Sequence, residues 1–214
     1  MGGDLRRVVV ASRNRGKVAE LRRLLRPARW RLLELDQAPG GAELHWVEDG
    51  SSYLENAAIK ARAACAATEL PSLGDDSGIE MGALGGWPGL LTARWLGEDA
   101  TPAELLEGLA SRVAQLPTEQ RRGSFVCALV LAVPVPDQEP RLIMAEGRLE
   151  GVLLSRPRGE RGFGYDPIFV PGGEQRTMAE MSQARKDEIS HRGRAARRLL
   201  GKVRRSHLGG PGAA

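Results

Sequence analysis

The order of apolar and polar residues along the chain predicts strands that alternate with helices. The β-branched run "RRVVVAS", Arg6 to Ser12, is typical of a buried strand. The polar turn "RNRGK" follows, and then the stretch "VAELRRLL" has apolar residues at helical spacing that stop before Pro27. The chain is therefore predicted to open with a strand, a loop and a helix.

Three further helices are predicted downstream. Residues 51–67, "SSYLENAAIKARAACAA", form an alanine-rich helical pattern that begins with a capping-box signature at Ser52. The stretch "TPAELLEGLA" predicts a helix with Thr101 as its N-cap and proline at the first helical position. A last helix is predicted from Ser190 to Leu200, with Gly201 as its stop.

The middle of the chain favours strands that pair with one another. The run "GSFVCALVLAVPVP" predicts a central strand, and residues 141–154 predict a hairpin that turns near Glu146 and Gly147. Because strands alternate with helices early and pair in the middle, the predicted class is α/β with a mixed sheet. No repeat or linker divides the chain, so residues 1–205 are expected to form a single domain and residues 206–214 a disordered tail.

Composition restricts the classes of function. The 214 residues are 42% hydrophobic, which allows a sizeable core, and the net charge of +4 is too mild to require a nucleic-acid partner. Cys65 and Cys127 lie far apart in apolar runs, as expected of buried thiols in a reducing compartment. The N-terminal apolar run is too short for a signal peptide, and Phe125 to Val133 is far short of the roughly 20 residues that span a bilayer. We therefore expect a cytoplasmic protein that binds no membrane.

The turn "SRNRGK", Ser12 to Lys17, is a candidate phosphate site. It lies between a predicted strand and a helix N-terminus, where free N–H groups and the helix dipole favour anions. Asn14 can donate from its amide and Lys17 adds a positive charge. The glycine spacing is not that of a Walker A loop. Spacing alone leaves an ordinary connecting turn as the alternative.

Two adjacent carboxylates, Asp75 and Asp76, follow an apolar segment in "LPSLGDDSGIEMGAL". In a regular strand they would point to opposite faces, but Ser77-Gly78 suggests that the strand ends there in a turn. One aspartate could hold Mg²⁺ while the other orients or deprotonates an attacking water. The alternative is a capping or turn pair. Glu48, in "HWVEDGSS", offers a further acid, although its local sequence favours a solvated loop.

Two later segments are candidates for nucleotide contacts. In "GERGFGYDPIF", residues 159–169, glycines allow close approach and Phe163 or Tyr165 could stack on a base. The alternative is a core cluster around a tight turn. In "KDEISHR", His191 and Arg192 are predicted near a helix N-terminus, where they could bind a ligand or simply belong to a basic solvated helix.

Lysine is unusually rare in this chain. Of 31 basic residues only four are lysine, namely Lys17, Lys60, Lys186 and Lys202. A lysine retained against such a bias can be one that is needed as a compact ammonium, which a guanidinium does not imitate. Chance is the alternative for any one of them.

Taken in order, these motifs resemble the inosine triphosphate pyrophosphatase family. The resemblance rests on "ASRNRGKVAEL", "SSYLENAAIKARAA", "LPSLGDDSGIEMGALGGWPGLLTARW", "GSFVCALVLA", "RGERGFGYDPIFVP" and "TMAEMSQARKDEISHRGRA". It implies an elongated mixed α/β fold of two lobes around a long central sheet, with an active-site cleft between the lobes and homodimeric assembly. The implied reaction is Mg²⁺-dependent attack of water on ITP, dITP or XTP, which releases the monophosphate and pyrophosphate.

The resemblance also implies roles for individual residues. Asp76 matches the general base and metal-site aspartate, Asp75 stands beside it, and Glu48 matches the upstream metal-binding acid, against the local reading of a loop. His191 and Arg192 match the base-reading pair, whose donors would favour a 6-oxo purine over adenine. The expected catalytic residues are Asp75, Asp76 and Lys60, and Lys60 is also expected to help hold the phosphates. The remaining expected contacts, to phosphates or nucleoside, are Ser12, Asn14, Lys17, Asn56, Ser77, Phe163, Gly164, Tyr165, Asp166 and Lys186.

Departures from the family pattern are small, and two rival functions stay open. Leu91 stands where relatives often have an aromatic residue, Gly74 where alanine or a similar small residue is usual, and "SRNRGK" is more basic than most versions. A related nucleotide pyrophosphatase with another base preference would keep the acids and change the base-reading residues. A nucleic-acid-binding module that uses the basic C-terminal helix would show salt-dependent binding and give the acids no role.

Overall fold

The computed structural model describes residues 7–206, and these contain six strands and five α-helices. In chain order they are β1 (Arg7–Ala11), α1 (Arg15–Leu24), β2 (Arg31–Leu33), α2 (Tyr53–Thr68), β3 (Ser72–Met81), α3 (Pro102–Ala114), β4 (Arg122–Val135), β5 (Gln138–Leu153), β6 (Phe169–Pro171), α4 (Gln183–Ile189) and α5 (His191–Arg205). The predicted alternation of strands and helices in the first half is confirmed.

The six strands form one mixed sheet in the order β2-β1-β3-β4-β5-β6. The strand β1 pairs in parallel with both β2 and β3, whereas β5 and β6 are antiparallel. The long strands β4 and β5 are joined by only two residues, a connection that antiparallel neighbours can use. The predicted α/β class with a mixed sheet is confirmed.

The described residues divide into two units, each with its own hydrophobic core. Unit 1 comprises residues 7–76, 127–147 and 192–206. Its larger core is built from β-branched and leucine side chains of β1 and β4 together with apolar residues of α1 and α5, among them Val8, Leu21, Leu129 and Leu199. These side chains are the apolar positions that the sequence pattern marks on each element.

Unit 2 comprises residues 77–126 and 148–191. Its core joins Ile79 and Met81 of β3 to the apolar face of α3 and to Phe169. The phenyl rings of Phe125 and Phe169 lie 4.5 Å apart between centroids within this core. The prediction that residues 1–205 form a single domain stays a prediction.

The helix starts follow the predicted capping chemistry. Thr101 caps α3 in a full capping box with Glu104, as expected. The hydroxyl of Ser52 accepts from the backbone N–H of Glu55 at 3.1 Å, so Ser52 is the N-cap of α2. The Glu55 carboxylate accepts from the backbone N–H of Ser51 at 2.6 Å and not from that of Ser52, so the predicted capping box is only half formed.

Three predicted chain breaks are wrong. The predicted hairpin near Glu146 and Gly147 is a single strand, β5, and the turn lies between β4 and β5 at Pro136 and Asp137. Gly201 does not stop the last helix, because buried Val203 packs against the unit 1 core and keeps α5 helical to Arg205.

The third wrong break concerns the aspartate pair. The strand β3 does not end at Asp75 and Asp76 but continues for five residues beyond Asp76, to Met81. The predicted strand-end turn at Ser77-Gly78 is therefore absent, and the regular pleat of β3 directs the two carboxylates to opposite faces. The predicted C-terminal tail lies, from residue 207 onward, outside the described residues. No helix within residues 7–206 is long and apolar enough to cross a membrane.

Candidate active site

The turn after β1 is shaped by its own polar side chains. The backbone N–H of Asn14 donates to Ser12 Oγ at 3.2 Å, and Asn14 Oδ1 accepts from the backbone N–H of Lys17 at 3.1 Å. Asn14 is thereby the N-cap of α1, whose first turn carries no acidic residue. The helix dipole and the Lys17 ammonium both make this turn favourable for an anion.

The face of β3 that carries Asp75 holds a fully buried carboxylate. Lys17 Nζ lies 2.9 Å from Asp75 Oδ1, and Arg192 Nε donates to Asp75 Oδ2 at 2.6 Å. Cys127 Sγ also donates to Oδ2, at 3.6 Å. Burial alone would raise the pKa of the Asp75 carboxyl, but the Arg192 guanidinium and the Lys17 ammonium hold that pKa well below its ordinary value of 3.8. Asp75 is therefore a permanently ionised, fully paired group.

The opposite face of β3 presents Asp76 to a lysine and a second acid. Lys60 Nζ, from α2, lies 2.8 Å from Asp76 Oδ1 and 3.3 Å from Glu48 Oε2. Burial raises the pKa of Asp76 above its ordinary 3.8, although the Lys60 ammonium opposes that change. Burial would also raise the pKa of Glu48, but Lys60 and the Trp46 indole N–H bring it below its ordinary 4.5. Two carboxylates in different electrostatic environments thus converge on one ammonium.

A buried amide fixes the loop that carries Glu48. Asn56 Oδ1, on α2, accepts from the backbone N–H of Gly50 at 2.9 Å, and the Asn56 residue is only 1% exposed. The helix α2 also lies very close to β3, because a Cβ on Gly74 would come within 2.0 Å of the Ala57 carbonyl oxygen. These two contacts place Lys60 and Glu48 beside Asp76.

In unit 2, the segment after residue 160 is organised around Asp166. Asp166 Oδ2 accepts from the backbone N–H of Phe163 at 2.8 Å and forms a short buried ion pair with Lys186 Nζ. The same ammonium lies 5.0 Å from the centroid of the Phe163 ring. Gly162 has a φ of +80°, and a Cβ there would meet the Asp166 carboxylate, so only glycine fits. Phe163 is half-buried on this framework.

Tyr165 belongs to the core of unit 2. Its hydroxyl donates to the Thr92 carbonyl at 2.8 Å and accepts from Trp95 Nε1 at 2.9 Å, while its ring lies in the unit 2 core. Of the two aromatic residues predicted to stack on a base, Tyr165 is held in the interior and only Phe163 keeps exposed ring surface. Tyr165 thus lies in a core cluster, as the alternative for this segment predicts.

A family model described as the Ham1 family matches residues 8–202. The chain belongs to the Ham1 family. A dITP/XTP pyrophosphatase from Frankia alni is 46% identical over 90% of this chain and 95% of its own length. A dITP/XTP pyrophosphatase from Mycobacterium tuberculosis H37Rv is 43% identical over 92% of this chain and 95% of its own length.

Solved Ham1 structures share the fold. A HAM1 protein from Coxiella burnetii superposes with a TM-score of 0.79 at 36% identity, covering 93% of this chain and 98% of that one. The Staphylococcus aureus Ham1 protein superposes with a TM-score of 0.78 at 32% identity, covering 94% of this chain and 99% of that one. The family resemblance predicted from the motifs is confirmed.

In this Ham1 family member, unit 1 brings together most of the predicted phosphate and metal residues. They are Ser12, Asn14, Lys17, Glu48, Asn56, Lys60, Asp75 and Asp76. Unit 2 contains Ser77, Phe163, Gly164, Tyr165, Asp166, Lys186 and His191. His191 begins α5, and its ring stacks on Phe125 with centroids 4.7 Å apart.

Arg192, which is predicted to read the base, lies in the interior of unit 1. The residue is 1% exposed, and its guanidinium donates to two carboxylates. The second of these, Glu20, is a buried acid that the sequence reasoning missed. The local sequence shows little sign of this, because Glu20 lies one helical turn from both Lys17 and Arg23, as a solvated acid on a helix surface would.

Proposed function

We propose that this Ham1 family member hydrolyses the deaminated purine nucleoside triphosphates ITP, dITP and XTP to the monophosphate and pyrophosphate. The observation that carries the proposal is the convergence of Asp76, Glu48 and Lys60 in the same unit as the anion-favouring turn that ends at Lys17. The names of the curated relatives support the same reaction. A triphosphate needs both positive side chains and a metal to neutralise about four negative charges.

The donor set at Asp76 and Glu48 fits Mg²⁺. Both groups are carboxylates, and both approach the single ammonium of Lys60 closely enough to share one cation position. Among residues 7–206, no group of three or more potential ligand side chains converges. Two protein carboxylates, completed by water and substrate oxygens, is the coordination that Mg²⁺ commonly adopts. Glu48 and Asp76 would hold the ion, which would supply charge neutralisation and polarise the phosphate oxygens.

The protein groups then divide the chemistry of hydrolysis. Because Lys17, Arg192 and Cys127 already contact the two oxygens of Asp75, Asp76 is the member of the pair that would take the proton of the attacking water. The water oxygen would form the new bond to the α-phosphorus. The bond between the α-phosphorus and the oxygen that bridges to the β-phosphorus would break, which releases pyrophosphate. Lys60 would orient Asp76, and Ser12, Asn14 and Lys17 would bind the phosphates.

The base would be read by groups of unit 2. Phe163 offers a ring for stacking, and Asp166 with Lys186 holds the backbone at Phe163 in place. Ser77, Gly164 and His191 would contribute the remaining nucleoside contacts. Donors that pair with a 6-oxo group would be left unpaired by adenine, which disfavours ATP.

The family resemblance also implies an assembly and a location. We propose that the chain acts as a homodimer in the cytoplasm. Light scattering coupled to size-exclusion chromatography tests the dimer, and a monomer at micromolar concentration would contradict it.

The nucleic-acid alternative receives little support from α5. Two of its basic side chains are used within unit 1, because Arg198 Nη1 donates to the Glu146 carbonyl at 2.7 Å and Lys202 Nζ donates to the Met144 carbonyl at 2.7 Å. Basic side chains that fasten a helix to a strand are not presented as a continuous phosphate-binding stripe.

The proposal is tested by pyrophosphate release with Mg²⁺ from ITP, dITP, XTP, GTP and ATP. Rapid release from the first three, with loss of activity in Asp76→Asn, is the expected result. The matched control is Asp49→Asn, the same change at an exposed acid next to Glu48, which should leave activity intact. Orthophosphate as the product would contradict the reaction, and equal rates with all five substrates would favour a pyrophosphatase of another base preference.

A further inference from the structure

Four charged side chains in unit 1 form a chain of contacts whose two ends, Lys17 and Glu20, lie on the same helix, and we call this group the Lys17 ring. Lys17 contacts Asp75 at 2.9 Å, Asp75 accepts from Arg192 at 2.6 Å, and Arg192 Nη1 donates to Glu20 Oε2 at 2.6 Å. Glu20 and Lys17 lie one turn apart on α1, so the helix backbone closes the ring. The ring thereby links α1, β3 and α5.

The burial of the ring members is uneven. Glu20, Asp75 and Arg192 are 4%, 1% and 1% exposed, whereas the Lys17 side chain is 16% exposed. The two positive and two negative charges balance, which is the condition under which buried ions are tolerated. Lys17 is therefore the member through which this interior network reaches the phosphate-binding turn.

We propose that Glu20 is a positioning residue, which acts through Arg192 and Asp75 to hold the Lys17 ammonium at the phosphate-binding turn. Asp75 and Arg192 then connect Glu20 to Lys17. The inference rests on the function proposed above.

The contacts of Asp75 support an effect that runs from Glu20 to Lys17. Both oxygens of Asp75 are occupied, since Oδ1 also accepts from Arg192 Nη2 at 3.3 Å and Oδ2 from Cys127. The carboxylate consequently cannot turn toward a substrate without breaking several contacts. The part-exposed Lys17 ammonium has three N–H donors, so it can keep its contact to Asp75 and still donate to a phosphate oxygen.

Removing the Glu20 carboxylate would disturb this balance. Arg192 would keep one carboxylate partner for a buried guanidinium, and the ring would carry a net positive charge. Asp75 would be drawn more strongly toward Arg192, so its hold on Lys17 would weaken. The predicted consequence is poorer phosphate binding, with no change in the chemical step.

The first test is Glu20→Gln, which preserves side-chain volume. At a temperature well below the unfolding midpoint of each protein, KM for dITP should rise about tenfold, the usual scale for loss of a supporting partner, while kcat is unchanged. In a Lys17→Met background the same change should add nothing to KM, because the effect runs through Lys17. The control is Glu34→Gln, which removes a carboxylate paired with Arg22 of α1 at the surface, at 2.8 Å, and should leave KM unchanged.

The second test needs no activity. With only four lysines in the chain, ¹³C and ¹⁵N labelling of lysine gives few side-chain signals, and the Lys17→Met spectrum assigns that of Lys17. Glu20→Gln should shift the Lys17 signal and leave the Lys202 signal in place. Glu20→Asp, which keeps the charge, serves if Glu20→Gln does not fold, and should shift the same signal less.

The outcomes separate this inference from the proposed function. A lower unfolding midpoint with unchanged KM and an unmoved Lys17 signal would show that Glu20 is structural only. An equal rise in KM in the Lys17→Met background would also overturn the inference. If the wild-type protein released no pyrophosphate, the proposed function would fail, and the lysine spectra would still decide whether Glu20 positions Lys17.

Discussion

The close approach of α2 to β3 predicts a large effect from one added methyl group, in Gly74→Ala. The new Cβ would lie 2.0 Å from the Ala57 carbonyl oxygen and 3.0 Å from the Ala61 backbone nitrogen. Both are main-chain atoms, so no side-chain rotation relieves the overlap. A carbon and a carbonyl oxygen need about 3.3 Å, and α2 would therefore have to move away by about 1.3 Å.

The magnitude follows from this displacement. Overpacking typically costs up to about 3 kcal/mol, and a clash with main chain belongs at the upper end of that range. For a chain of this length, this corresponds to a fall of about 9 °C in the unfolding midpoint. Because α2 also carries Lys60, which lies 2.8 Å from Asp76, the same movement should reduce activity by as much as about 100-fold.

The assay is calorimetry of the unfolding transition together with the rate of pyrophosphate release. Gly82→Ala is the matched control, since a Cβ at Gly82 meets nothing within 4 Å and its φ is not positive. The control should behave as the wild type does. A Gly74→Ala protein whose midpoint falls by less than about 1 °C would refute the reasoning, because α2 would then have room for the methyl group.

Three further perturbations give separate tests. Asn56→Ala removes the acceptor of the Gly50 N–H, and we expect the free energy of unfolding in denaturant to fall by about 2 kcal/mol. We also expect half-maximal activity to need a higher Mg²⁺ concentration, and unchanged values of both would contradict the role of Asn56. Lys186→Met leaves the buried Asp166 carboxylate without its ion-pair partner and should cost about 4 kcal/mol in urea unfolding, whereas adding Asp166→Asn should recover part of that loss, and no recovery would contradict the pairing. Burial raises the pKa of Cys65 to about 11, so its alkylation by iodoacetamide, followed by mass spectrometry, should be slow at pH 8 and accelerate as the thiolate fraction grows up to about pH 11; a rate that levels off near pH 9 would contradict this.

The order of elements could be predicted because local patterns determine it. The strand β1 and the helices α1, α2 and α3 all carry their periodicity and caps within a short stretch of sequence. The hairpin predicted within β5 is wrong because Gly147 does not interrupt the alternation of buried and exposed residues around it. Ile143, Ala145, Gly147 and Leu149 are all buried, so the period of two runs through the glycine without a change of phase.

The pairing of charges could not be predicted in the same way. The alternation of β3 correctly separates Asp75 from Asp76, but it does not indicate which cation each carboxylate meets. Arg192 is 117 residues away from Asp75 in the chain and arrives there only because α5 packs in the unit 1 core. Such a partner is determined by tertiary packing, and for that reason the motif containing Arg192 predicted ligand binding instead of an internal ion pair.

The alternation of β3 also limits how the chain can change in length. The register with β1 is fixed by pairs such as Val10 with Leu73 and Ala11 with Gly74. Inserting or deleting one residue between Gly74 and Asp75 would exchange the faces of the two aspartates without altering either side chain. Asp76 would then face Arg192, and Asp75 would face Lys60. Substitutions along β3 thus change individual contacts by degrees, whereas a shift of the strand register by one residue exchanges the two faces completely.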